Sequence, residues 1–308
     1  MATGIYFPEG LAWSDVSQSL FVSGVQQGTV TQVWPEQGRQ ALVADLAGGA
    51  NNAAAADDGG VLVTQNGGLD AYPGIARSFP EVQEWPAIRS AEPGLVHVSP
   101  DGTWRYVLRD LLDTPNDLVV GVDGTVYLTD PGNPFRGEPR DPRVRAWAPD
   151  GSVRTIAGGF EYCNGIDLLP DGALVVTDHG GVLRVDLDGS TRWLARGLGD
   201  PGPDGVAVDQ QGNVYVATAR GSGVQVLDPA GTEVEFLPLP EPGSVSNCCF
   251  GSPGRRWLFA TDTRRGQVVC FQDLSVPGRV PSAWPVAPTR DGPVVVADAG
   301  QSADRSTT

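Results

Sequence analysis

An all-β fold, a six-bladed β-propeller, is what this 308-residue sequence predicts, on three observations. A short unit recurs six times. Asp-Gly and related turns separate runs of β-branched residues. No stretch carries the apolar period of an amphipathic helix.

The unit is an acidic or amide residue, a small or apolar stretch, a turn, and then a β-branched strand. It begins as Glu9-Gly10-Leu11-Ala12-Trp13 with a strand over 19–23, and returns as Asn52-Ala53-Ala54-Ala55-Ala56 with a strand over 61–65. The third copy is Asn116-Asp117-Leu118-Val119-Val120, turn Asp123-Gly124, strand 125–130; the fourth is Asn164-Gly165-Ile166-Asp167-Leu168, turn Asp171-Gly172, strand 173–178. Asp204-Gly205-Val206-Ala207-Val208 with strand 213–218, and Asn247-Cys248-Cys249-Phe250-Gly251 with strand 257–262, complete the set. The starts lie 43, 64, 48, 40 and 43 residues apart. Two further strands fit inside a unit, as at 144–148 and 153–157 about Asp150-Gly151, 182–186 and 191–195 about Asp188-Gly189, and 224–228 and 233–237 about Ala230-Gly231. Two-residue Asp-Gly turns between β-branched runs signal hairpins, and four antiparallel strands repeated every ~40–45 residues make propeller blades. Two sandwiches of three units each lack a linker near the middle of the chain. A single domain over 1–300 is expected, with 301–308 a disordered tail.

Composition narrows the function. The net charge of −16, from 21 basic and 37 acidic residues, argues against nucleic acid, whose phosphates need clustered cations. Every basic residue is Arg, so lysine Schiff bases and phosphate-loop lysines are excluded. No run approaches the ~18–20 apolar residues of a membrane span. The start Met1-Ala2-Thr3-Gly4-Ile5 lacks signal-peptide character, which points to a cytoplasmic protein. Cys163, Cys248, Cys249 and Cys270 show no metal-binding spacing and are expected to be reduced, packed thiols. No GxSxG or HExxH occurs, which disfavours serine-hydrolase and zincin chemistry.

Strands of a blade alternate in direction, so all six first strands begin at one end of the central channel. Glu9, Asn52, Asn116, Asn164, Asp204 and Asn247 therefore converge on one ring. An oxygen-only set of this kind suits Ca²⁺ first, with Mg²⁺ or Mn²⁺ next. Zn²⁺ is a last alternative, since no thiolate or His pair joins the ring. Each Asn or Asp before Gly, taken alone, reads as a turn residue; two buried carboxylates at one channel end ask for a cation. His179, in Thr177-Asp178-His179-Gly180-Gly181, falls on a loop at the same end and is a candidate proton shuttle or substrate contact. His97 is placed on an outer strand and expected to be inert.

Several segments together resemble the senescence-marker-protein/gluconolactonase family: Pro8-Glu9-Gly10; Pro115-Asn116-Asp117 with Thr129-Asp130-Pro131; Asn164-Gly165-Ile166 with Pro170-Asp171-Gly172; Pro203-Asp204-Gly205 through Asp209; and Asn247 with Phe250-Gly251. The resemblance covers roughly residues 5–275. It implies a six-bladed propeller that binds one divalent metal, commonly calcium, and hydrolyses lactones. By position it implies Glu9, Asn164 and Asp204 as metal ligands, Asn116 as a further ligand or substrate contact, and Asp204 as the general base. Asn52 and Asn247 remain as substrate contacts, and the partner is a small molecule.

Two insertions depart from the plain pattern, at about 66–93 with Tyr72, Phe79, Trp85 and Ile88, and at 131–143 with Phe135, Arg136, Arg140 and Arg143. Both fall at the ring end and read as walls for a hydrophobic or cyclic substrate such as a secondary metabolite. Alternatives to lactone opening are phosphotriester hydrolysis, a non-hydrolytic cyclisation, rearrangement or elimination, and a non-enzymatic calcium-binding or interaction propeller. Blade six is expected to be completed either by the apolar stretch at 294–297 or by the N-terminal strand around 5–7.

Overall fold

The structure, a computed structural model, describes residues 2–68, 89–133, 140–198, 202–218 and 221–286. Six small antiparallel sheets form a six-bladed propeller. Blade one holds β1 (Pro8–Ser14), β2 (Ser19–Gly24), β3 (Thr29–Trp34) and β4 (Arg39–Asp45); blade two holds β5 (Ala50–Ala55), β6 (Val61–Gln65), β7 (Gly94–Val98) and β8 (Trp104–Arg109). Blade three holds β9 (Leu118–Val120), β10 (Val126–Asp130), β11 (Arg143–Trp147) and β12 (Val153–Gly158), and blade four β13 (Ile166–Leu168), β14 (Leu174–Asp178), β15 (Gly181–Val185) and β16 (Thr191–Arg196). Blade five holds β17 (Pro203–Val208), β18 (Val214–Thr218), β19 (Gly223–Leu227) and β20 (Glu233–Pro238); blade six holds β21 (Cys248–Gly251), β22 (Trp257–Asp262) and β23 (Gln267–Phe271). The first strands β1, β5, β9, β13, β17 and β21 touch in sequence and close around the axis.

Second strands are buried at nearly every position because both of their faces are covered. In β10, Val126 and Leu128 pack toward blade two while Tyr127 packs toward blade four; in β14, Leu174 and Val176 face blade three while Val175 faces blade five. Alternation along a strand thus fills two inter-blade layers at once. Six apolar clusters lie one in each cleft between neighbouring blades.

The expected hairpins form, but as three-residue loops rather than two-residue turns. Gly121 N donates to Thr125 O (2.8 Å) and Gly124 N to Gly121 O (3.0 Å), with Gly124 at φ 81°; Ala148–Ser152, Asp186–Ser190 and Asp228–Thr232 repeat the closing bond. A type I turn followed by a left-handed residue needs Gly at that last place, which explains the Asp-Gly recurrence.

The N-terminus completes blade six. Thr3 pairs antiparallel with Gln267, Val268 N donates to Ala2 O (3.0 Å) and Ile5 N to Gly266 O (3.1 Å). The competing stretch at 294–297 and the tail at 301–308 lie outside the described residues. Residues 277–286 cross the end of the channel opposite the starts of the first strands. Gly278 bridges Asp209 below blade five and Trp284 bridges Ala56 below blade two. Trp284 is 6% exposed and packs on Trp147 (centroids 6.1 Å) and His97 (5.3 Å). His97 is thus buried on β7 beneath this strap, a structural place that its outer-strand position did not suggest. All four cysteines are free.

Candidate functional site

Three of the predicted ring residues sit on β-bulges. Register shifts fall between Pro8 and Leu11, Ala50 and Ala53, and Pro203 and Val206, at Glu9-Gly10, Asn51-Asn52 and Asp204-Gly205. Bulges re-aim side chains at strand ends, and here they turn them to the axis. Asn116, Asn164 and Asn247 instead precede β9, β13 and β21. The following glycines do not serve as turn residues, contrary to the single-residue reading, since none of Gly10, Gly165 and Gly205 has a positive φ. They give way to the next blade. A Cβ on Gly10 would stand 2.3 Å from Asn52 Cα, one on Gly165 2.5 Å from Asp204 O, and one on Gly205 2.4 Å from the Asn247 side chain.

The ring gathers three carboxylates rather than two. Glu9 is 5% exposed and Asp117 1% exposed, and the amide of Asn247 donates from Nδ2 to Glu9 Oε2 (2.9 Å) and Asp117 Oδ2 (3.1 Å). Burial pushes Glu9 well above the usual carboxylate range, with the charges of Asp204 and Asp117 adding to it. Burial and Asp117 do the same to Asp204, against a hydrogen bond from Asn164. Asp117 is pushed up to about 7 by burial, against hydrogen bonds from Asn52 and Asn247. Three mutually repelling carboxylates, Glu9 and Asp117 buried and Asp204 half-buried, cannot all be ionised without a compensating cation.

The amides divide into two kinds. Asn52 and Asn247 turn their N–H groups to the carboxylates and spend their oxygens on Ala53 N and Cys248 N. Asn116 and Asn164 each leave a buried Oδ1 with no partner, as does Asp117. Unpartnered buried acceptors are costly, and these oxygens are the ones a hard cation would accept. Among the described residues no cluster of three His, Cys, Asp or Glu side chains could hold a metal on its own, so the Asn oxygens belong to any such site. The residues present therefore fit a divalent cation bound by mixed carboxylate and amide oxygens.

Around the ring, Tyr162 lies two residues before Asn164, and burial together with Asp204 holds its phenol well above the usual range. The Arg140 guanidinium stands over its ring at 5.7 Å. His179 is at the same end but is not drawn into the ring: its Nδ1 pairs with Glu161 Oε1 at 3.2 Å and it is half-exposed, 6.1 Å from the Tyr162 ring. Sequence reasoning missed Asp117 and Tyr162 as site residues, whereas Arg140 was expected in the insertion wall at 131–143 and stands over Tyr162. The signal for Asp117 was present, because Asn116-Asp117 is the one unit start where an acid takes the place of a glycine or apolar residue. Tyr72, Phe79, Trp85, Ile88, Phe135 and Arg136 fall outside the described residues.

Below the ring the channel encloses about 100 Å³, bounded at its far end by Arg279, Pro281 and Ser282 of the strap. Arg279 Nη2 pairs with Asp167 Oδ1 at 2.5 Å and Arg279 N donates to Val208 O, so the strap is tied to the inner strands. Among the described residues no helix is long and apolar enough to cross a membrane.

A gluconolactonase from Zymomonas mobilis is 32% identical over a region covering 46% of this chain and 46% of its own length, so the chain spans about half the length of that curated relative. Among solved structures, a luciferin-regenerating enzyme superposes with a TM-score of 0.73 at 17% identity, covering 92% of this chain and 97% of the other. A gluconolactonase from Xanthomonas campestris gives 0.69 at 23% identity over 91% and 87%. Regucalcin from Agrobacterium tumefaciens, described as a calcium-binding protein, gives 0.70 at 16% identity over 92% and 95%. At these identities the superpositions carry the fold alone. The family described as SMP-30/Gluconolactonase/LRE-like region matches residues 7–264; the chain belongs to that family.

Proposed function

We propose that this protein is a lactone hydrolase that opens a small cyclic ester at the ring, using one divalent cation held by Glu9, Asn164 and Asp204 with Asn116 and Asp117 beside them. The observation that carries the reading is the meeting of the Glu9, Asp117 and Asp204 carboxylates, two of them buried, with the unpartnered oxygens of Asn116 and Asn164. The names of the relatives support the reaction class, and the calcium-binding neighbour supports Ca²⁺ as the first metal to try.

When bound, the cation supplies Lewis acidity toward an ester carbonyl and lowers the pKa of water. The chain's own residues do the rest. Asp204, with a carboxyl raised by burial, is the group proposed to take a proton from the attacking water. Asn164 steadies Asp204 through its amide, and Asn247 bridges Glu9 and Asp117 so that neither carboxylate rotates out of the ring. Asn52 and Asn247 direct donors inward, and with Asn116 they remain the proposed substrate contacts. His179, tethered to Glu161 at the rim, is proposed to pass the proton to solvent. The strap closes the far end, so substrate enters and product leaves on the ring side. The described residues support a small-molecule substrate; the hydrophobic metabolite expected from 66–93 and 131–143 rests mainly on residues outside them.

Metal analysis of the purified protein and proton release from simple lactones, with and without chelator, test this reading. Lactone opening that chelation abolishes and added Ca²⁺ restores is the expected result. Full turnover after exhaustive chelation sinks the metal part of the proposal, and no turnover of any lactone by the metal-replete protein sinks the reaction class.

A further inference from the structure

A hydroxyl residue is next to last in the second strand of five of the six blades: Ser23, Thr64, Thr129, Thr177 and Thr261. Four of them work alike. Thr177 Oγ1 accepts from Gly165 N (2.7 Å) in its own blade and donates to Asp204 O (2.6 Å) in the next. Thr129 Oγ1 accepts from Asp117 N (3.0 Å) and donates to Asn164 O (2.5 Å). Thr64 Oγ1 accepts from Asn52 N (2.8 Å) and donates to Asn116 O (2.5 Å), and Ser23 Oγ accepts from Gly10 N and donates to Asn51 O.

At the sixth blade the hydroxyls of Thr261 and Ser246 are bonded to each other (2.9 Å), and Ser246 Oγ reaches Pro8 O at 3.1 Å. Blade five has Ala217 at the equivalent place, and its junction is made by Gly205 N donating to Ser246 O (2.7 Å). A closed belt of hydrogen bonds therefore runs under the ring, joining the main chain of each ring segment to the next.

We propose that Thr129 and Thr177 are positioning residues that set the cation affinity of the ring by fixing the main chain of Asn164 and Asp204 to the preceding blade. This rests on the cation reading given above. A hydroxyl suits the task because it accepts one bond and donates another from a single atom, which a methyl of the same size cannot do. Both hydroxyls are buried, Thr129 and Thr177 each at 0% exposure, so water does not replace them. Their loss frees a buried N–H and a buried C=O beside a ligand-bearing residue, and the ligand oxygen then moves with its backbone. Partners of this kind typically change metal affinity by ~10–100-fold when removed.

The experiment measures Ca²⁺ binding by titration calorimetry on the wild-type chain and on T129V, T177V, T177S and T218V, with metal-free thermal stability beside it. Thr218 is the control. It is buried at the same end of blade five, but its hydroxyl donates to Gly223 O within its own blade (2.8 Å). T129V and T177V are expected to bind Ca²⁺ at least about tenfold more weakly than wild type, T177S within about threefold, and T218V unchanged. Should T177V fail to fold, T129V carries the same comparison at the neighbouring junction. Equal Ca²⁺ affinity in wild type, T129V and T177V overturns the inference while leaving the cation reading intact, as does an equal loss in T218V. A wild-type chain that binds no divalent cation overturns the cation reading itself, and the inference with it.

Discussion

Asp117→Asn is expected to make the metal-free protein more stable and the cation weaker to bind. Asp117 is buried, stands among Glu9 and Asp204, and holds its proton up to about 7. An unfolded Asp titrates near ~3.9, so ionising this one in the fold costs on the order of 4 kcal/mol, an upper figure for so strongly interacting a set. The sign follows from proton counts. Between ~3.9 and about 7 the native state holds a proton that the unfolded state has lost, so the stability of the metal-free wild type falls as pH rises through that window. The Asn variant removes the titrating group and keeps an acceptor for Asn247. Urea unfolding in chelator should therefore show the two proteins similar near pH 4 and the variant ahead by a few kcal/mol at pH 8. Saturating Ca²⁺ should then return the advantage to wild type. A variant that is no more stable than wild type at pH 8 without metal would refute the claim that the ring is held together against its own repulsion.

Four further outcomes are expected. Glu9→Gln and Asp204→Asn should each cut lactone turnover by about 10²–10⁴-fold with the fold retained, read by proton release and circular dichroism. Trp284→Ala should cost up to ~3–5 kcal/mol, the range for a buried Trp, unless the strap peels away at lower cost. Because the chain has only two histidines, His97 can be followed by NMR in the same variant, and its pKa should rise toward ~6.5 once Trp284 no longer buries it. In the intact protein burial lowers the His97 pKa, opposed by Asp58. The unfolded state then takes up the proton first, so His97 lowers stability as pH falls below ~6.5, and His97→Gln should flatten that part of the pH profile in urea titrations.

Much of this architecture was legible because a propeller writes its period into the chain. Glu9, Asn116, Asn164, Asp204 and Asn247 occupy equivalent places in their blades, and alternation of strand direction alone brings them to one end. The division of labour among the amides was not legible, because it depends on which way each side chain rotates. Asn116 and Asn164 keep free oxygens while Asn52 and Asn247 spend theirs on the main-chain N–H groups of Ala53 and Cys248, and four identical residue types carry no mark of that difference. Asp117 was overlooked because it follows the repeat position by one, and only the conformation before β9 turns it inward. The hydroxyl belt was visible as Thr129, Thr177 and Thr261 before Asp, yet its bonds cross between blades, where a one-dimensional repeat offers no hint. Closure by Thr3 and Ile5 had two candidate sources in the sequence, and backbone pairing with Gly266–Val268 shows which segment supplies the edge.

That pairing of residues 2–5 with residues 266–268 has a consequence for how the protein is made. Residues 2–5, made before any of the blades, must wait for the sixth sheet before they find their place. Until then five blades stand as an open arc with two raw apolar flanks, the kind of intermediate that sticks to copies of itself. A chain cut short anywhere before residue 266 could not latch, and would keep both flanks bare however well its individual sheets had folded.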